Sequence, residues 1–174
     1  MAKTVIKFRL DEKDIDRAIR ELKQFKKDFL EKVETYRKRI ADEIANSALL
    51  KFGSATMEHT VRGATSKPSV SVSVSERGDI SVVVANGEDA VWCEFGAGVY
   101  YNGSVGSSPN PYGKDLGFTI GSYGKGYGKG NAWGYYDDAG ELVITRGTPA
   151  SMPMYNSAKE VTKKAIEIAR EVFK

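Results

Sequence analysis

His59 and Cys93 are the only histidine and the only cysteine of the chain. An imidazole that takes the proton from a thiol makes a nucleophile, and two such residues can meet in a fold however far apart they are in sequence. Cys93 stands, however, inside the apolar stretch Ala90-Val91-Trp92-Cys93-Glu94-Phe95, where a small buried hydrophobe accounts for it. A zinc site would need carboxylates for its remaining ligands, and no ligand spacing supports one. Glycine and lysine alternate at Gly124-Lys125-Gly126 and Gly128-Lys129-Gly130, which suggests backbone N–H groups cradling a phosphate. The pattern fails on inspection. A phosphate loop needs G-x-x-x-x-G-K followed by Ser or Thr, whereas Lys114 precedes Asp115 and Lys125 and Lys129 each precede glycine. No G-x-G-x-x-G spacing occurs either. Asp137, Asp138 and Glu141 can hold a cation or move a proton, but their place between two short apolar runs makes them turn residues. Glu94 is a lone carboxylate between Cys93 and Phe95, facing water or pairing with a base such as Arg146. The residues form no catalytic constellation, and no enzyme activity, metal or cofactor is expected.

The stretch from Trp92 to Pro153 has a different character. Fourteen of the 18 glycines lie between Gly96 and Gly147, which puts most of the chain's backbone freedom in one excursion, about residues 96–132. Tyr123, Tyr127, Trp133, Tyr135 and Tyr136 are interleaved there with Lys125 and Lys129. Such aromatics stack on single-stranded nucleic acid or fill a protein interface, and glycine spacing that lets a loop adapt to a neighbouring subunit favours the interface.

The elements that must position this excursion are legible on either side of it. Thr4 to Leu10 alternates as a half-buried strand. Asp11 can cap a helix that begins near Glu12 and carries Ile15, Ala18, Ile19 and Leu22 at helical spacing. Phe25, Phe29, Val33, Tyr36, Ile40, Ile44, Ala48 and Phe52 continue that spacing until Gly53 supplies a stop. A break between a first and a second helix is expected near residues 24–28, although no Gly or Pro marks it. Residues 53–68 read as a loop that contains His59. Val70, Val72 and Val74, a turn at Arg77-Gly78-Asp79, then Ile80, Val82 and Val84 make a β-hairpin. After Asn86-Gly87, Asp89 to Phe95 reads as a third strand of the same meander. Trp133 to Tyr136 and Glu141 to Thr145 form another hairpin. Pro149 and Pro153 lead into a last helix with Ala158, Val161, Ala165, Ile168 and Val172 at helical spacing. The expected fold is a single α+β domain over residues 1–174, an antiparallel β-sheet with the long N-terminal helix laid across it and a C-terminal helix.

Composition narrows the function classes. The 174 residues are 28% charged and 41% hydrophobic, ordinary proportions for a globular protein. No apolar run approaches the ~20 residues of a membrane span, and the charged, alternating start lacks a signal peptide's apolar core, so a cytoplasmic site of synthesis and no membrane partner are expected. One cysteine forms no internal disulfide. The net charge of +3 is mild, and the basic helix around Lys23 to Arg39 is interrupted by Asp28, Glu31 and Glu34, so a solvated face explains it.

Taken together, Cys93-Glu94-Phe95-Gly96-Ala97-Gly98, the tract from Gly124-Lys125-Gly126 to Trp133-Gly134-Tyr135-Tyr136, and Thr145-Arg146-Gly147-Thr148-Pro149-Ala150 through Pro153-Met154 before a terminal helix resemble the tail-completion or head-tail joining proteins of long, non-contractile-tailed bacteriophages. Glu94-Phe95-Gly96 and Gly147 to Met154 carry the resemblance most sharply. Ala97 stands where relatives often have a hydroxyl residue, Met154 where an aromatic is common and Arg146 where a histidine is frequent. The resemblance implies a non-enzymatic virion component of the neck and tail, assembled in the host cytoplasm as a ring of six. Its partners would be further copies of itself, the head-side connector or stopper, and the tail terminator or tail tube, with phage DNA only passing through the lumen. The residues expected at its contacts are Glu94, Phe95, Gly96, Tyr123, Tyr127, Trp133, Arg146, Gly147, Pro149 and Pro153. A basic, aromatic single-stranded nucleic-acid-binding module is the alternative.

Overall fold

The computed structural model describes residue 9 and residues 11–58, 65–97, 108–116 and 133–174. The expected opening strand, Thr4 to Leu10, lies outside the described residues except for Arg9, and so do His59, Tyr123, Tyr127 and most of the glycine-rich excursion. In chain order the elements are α1 (Glu12–Ser54), β1 (Met57–Glu58), β2 (Thr65–Ser66), β3 (Ser71–Arg77), β4 (Ile80–Asn86), α2 (Asp89–Phe95), β5 (Trp133–Tyr136), β6 (Leu142–Thr145) and α3 (Pro153–Val172). The fold is α+β.

α1 is one uninterrupted helix of 43 residues, about 64 Å at ~1.5 Å per residue. The expected break is absent: residues 24–28 contain no Gly or Pro, and two of them bond across the turn. The Gln24 amide donates to the Asp28 carboxylate at 2.7 Å, and Lys38 meets Glu34 at 2.6 Å further along. Asp11 caps the start, accepting from the Asp14 N–H at 2.9 Å, with Glu12 and Asp14 placed favourably against the helix dipole. Gly53 is not the stop: the helix runs through it to Ser54, and Ala55 turns the chain out in an extended conformation while its N–H still reaches the Lys51 carbonyl.

β3 and β4 form the expected hairpin, closed at Gly78-Asp79 with Gly78 at φ 58° and paired from Arg77 with Ile80 to Ser71 with Asn86. Among the described residues the sheet has two strands, as do the pairs β1–β2 and β5–β6. Asp89 to Phe95, expected as a third strand, is the helix α2. Its buried residues are Ala90, Cys93 and Glu94, the i, i+3, i+4 spacing of one helical face, whereas a strand would bury every second residue.

α1 carries both other layers. α3 lies antiparallel along it, fastened by Lys51 to Glu160 at 2.8 Å and Arg39 to Glu171 at 2.6 Å, with the Phe173 ring against Phe29 and Tyr36. The hairpin packs on α1, where the Arg37 guanidinium spans the Gly78 carbonyl and the Glu76 carboxylate. Ala41, Ala45 and Ala48 of α1 are buried. The core continues through Phe52, Ala55 and Met57 to Ala90 and Cys93 of α2, with Val70, Val72, Ala85, Trp92 and Met154 around it.

Candidate functional site

The chain on either side of the stretch from Gly96 to Gly147 meets at α2. Its entry is fixed by Gly87, at φ 140°, where a Cβ would collide with the Ser69 carbonyl, and by the Asp89 carboxylate, which accepts the Ser69 N–H at 2.8 Å. Its exit is Gly96, at φ 80°, buried against Thr148 and Ala150; an added Cβ would lie 3.1 Å from the Ala150 nitrogen. The returning chain is stitched to α2 through backbone groups. Ala97 N–H donates to the Thr148 carbonyl at 2.8 Å, and Ser151 and Met152 N–H both donate to the Cys93 carbonyl, at 2.9 and 3.2 Å. Gly147 is also buried with positive φ, and its N–H donates to the Thr145 hydroxyl at 3.0 Å.

Glu94 closes this arrangement. It is 7% exposed and accepts from Met154 N–H at 2.8 Å, Tyr155 N–H at 3.0 Å and the Asn110 side-chain amide at 2.9 Å. The first two are N–H groups of the first turn of α3, which have no partner inside the helix. The residue before that helix, Met152, is in the left-handed region and its side chain makes no cap. Pro153, fully buried at the first helical position, has no N–H to satisfy. Glu94 is therefore the cap of α3, supplied from another element, and its negative charge sits at the positive end of the helix dipole. Neither expected surrounding for Glu94 is the one it has: it does not face water, and N–H groups rather than the Arg146 guanidinium compensate its burial. Arg146 and Pro149 are exposed, Phe95 is half-buried, and Trp133 lies in β5.

Burial raises the Glu94 carboxyl above the usual glutamate range, while the three donors pull it back down. Burial, with Asp89 and Glu94 nearby, pushes the Cys93 thiol up to about 11, so this sulfur remains protonated at neutral pH. Among the described residues no three of His, Cys, Asp and Glu are grouped to hold a metal ion, and no helix is long and apolar enough to cross a membrane.

Sequence reasoning missed Asn110. Residues 108–116 fold into a compact turn inside the excursion: Asn110 N–H donates to the Ser108 hydroxyl, its side-chain oxygen accepts Tyr112 N–H, and Gly113 N–H returns to its carbonyl. Asn110 is 3% exposed, with its amide aimed at Glu94, and Tyr112 meets Tyr155 edge-on at 6.3 Å. The signal was Pro109-Asn110-Pro111, in which two rigid residues hold an amide within a tract otherwise rich in glycine. The arrangement ties four segments together.

Comparison with protein-family models, with curated proteins and with solved structures found no match.

Proposed function

We propose that this chain is a non-enzymatic structural protein of a tailed bacteriophage virion, forming a ring of six that completes the tail and joins it to the head connector. The reading rests on the resemblance of Glu94-Phe95-Gly96 and Gly147 to Met154, and one observation strengthens it. These two segments, about fifty residues apart in the chain, form a single unit: Glu94 caps the helix that begins at Pro153, and Gly96 packs on Thr148 and Ala150. A rigid base of this kind suits an adaptable arm that contacts a neighbour. Heterologous contacts that close by rotation need two different surfaces per protomer, and the arm and the body supply them. Its partners in this reading are its own copies, the connector or stopper on the head side, and the terminator or tube on the tail side.

Negative-stain imaging of the concentrated protein, with antibody labelling of particles that contain it, tests the assignment. Rings of the free protein and label at the neck are the expected result; label elsewhere on the particle, or none, removes it. Trypsin tests the arm. Cleavage after Lys125 and Lys129 is expected in the free chain and suppressed in the assembled particle, and equal cleavage in both would sink the idea. Salt-sensitive binding of single strands, lost when Tyr127 and Lys129 are replaced, would favour the nucleic-acid-binding alternative instead.

A further inference from the structure

Between Glu12 and Val33, α1 carries a row of exposed apolar side chains. Ile15, Leu22 and Phe29 recur every seven residues with Ala18 and Phe25 between them, the spacing of a helix that packs lengthwise on another helix. Ala18 is buried, but Ile15, Leu22 and Phe25 are 39%, 55% and 50% exposed, and Ile19 and Val33 widen the exposed row. The same row continues into the half of α1 that α3 covers, since Phe173 packs on both Phe29 and Tyr36. α3 ends at Val172, and the row goes on toward the amino terminus of α1 without it. One face thus serves as a helix-packing seam in the second half of α1 and stands exposed in the first.

The edges of the row say what fits it. One edge carries Asp14, Glu21 and Asp28, seven residues apart, and the other carries Ile19, Lys26 and Val33, also seven apart. Arg17 lies beside Asp14 and Glu21 at 3.1 and 3.8 Å, within its own helix, and leaves the edge acidic on balance. An antiparallel pairing of two such helices sets Asp14 against Asp28 and Glu21 against Glu21 on one edge, and Lys26 against Lys26 with Ile19 against Val33 on the other, so every charged residue of the two edges meets its own sign. A parallel pairing sets Glu21 against Lys26 of the neighbouring copy and the other acidic residues against Ile19 and Val33.

We infer that the occupant of this face is the same stretch of α1, Glu12 to Val33, from further copies of this chain, packed in parallel. The inference rests on the self-assembly proposed above and names the surface that carries it. Equivalent helices around a single rotation axis all run in one sense, so a parallel seam is compatible with a closed ring and an antiparallel one is not.

The test uses the full chain with Cys93→Ser, which removes its only thiol. Two proteins are made, one with Glu21→Cys and one with Lys26→Cys, both at exposed positions. Oxidation of their mixture is expected to give disulfide-linked dimers of one of each, while Glu21→Cys alone gives none. Self-linkage of Glu21→Cys as efficient as linkage in the mixture overturns the parallel seam. In sedimentation velocity, Leu22→Glu with Phe25→Glu is expected to weaken association at least tenfold while circular dichroism keeps its helical signal. Association equal to that of the parent chain overturns the seam yet leaves self-assembly standing. If that variant loses its helix, the cysteine pair still decides. A parent chain that stays monomeric, with α1 amides whose slow deuterium exchange is lost on deleting residues 1–10, gives the row to the chain's own N-terminal segment and overturns the inference. Linked dimers without rings in the microscope keep the seam and remove the ring.

Discussion

Glu94 holds two backbone N–H groups and one amide with a single carboxylate, so its removal strands three donors at once. Glu94→Ala is expected to cost about 3 kcal/mol, measured by urea unfolding, because each buried donor left without a partner costs roughly 1–3 kcal/mol before relaxation. Asn110→Ala removes one donor of the three, and its effect is expected to be about 1 kcal/mol. The pH dependence follows from the raised Glu94 carboxyl. Between the unfolded value, about 4.3, and the higher folded one, the native state holds a proton that the unfolded state has lost, so the contribution of Glu94 falls as pH rises through this window. The stability difference between the parent chain and Glu94→Gln should therefore shrink as pH is raised above about 4.3; a difference that grows contradicts the buried placement. Glu94-Phe95-Gly96 stood out in the sequence, but the role of Glu94 did not. Its donors lie 16, 60 and 61 residues further along the chain, and no local pattern reports partners at that distance.

At the scale of elements, the long periods were legible and the short ones were not. α1 and α3 repeat their apolar positions over many turns, and the β3–β4 hairpin alternates on both sides of a glycine turn, so each announces its own period. α2 has only seven residues, six of them the run Ala90 to Phe95, too short to separate a period of two from one of 3.6. Gly87 and Gly96 bound it, both at positive φ and both where an added Cβ would press on a neighbouring backbone, at Ser69 and Ala150. Continuity of α1 is testable directly. Gln24→Pro places a helix breaker where the chain has a side-chain bond instead, and a loss of roughly 3 kcal/mol with reduced helical dichroism is expected. α3 holds a different opportunity. The Ser157 hydroxyl is wholly buried and has no hydrogen-bond partner among the described residues, so Ser157→Ala should raise stability by about 1 kcal/mol, read as a higher Tm.

For the whole molecule, the α+β class followed from the order of helical and alternating segments. How those segments are mutually fastened did not, because it depends on a buried carboxylate, a proline without an N–H and three glycines at positive φ. α1 also gives the molecule mechanics. The body grips its second half through α3 and the hairpin, and the turns from Glu12 to Asp28 reach about 25 Å further at ~1.5 Å per residue. Treated as a lever pivoting where α3 ends, a 5° tilt of the grip moves the far end by about 2 Å, a displacement large enough to make or break a packed contact. A sub-ångström change at the Phe29–Phe173 fulcrum is thereby geared up along an unbroken helix. Any event that loosens α3 would be felt first at the opposite end of the molecule.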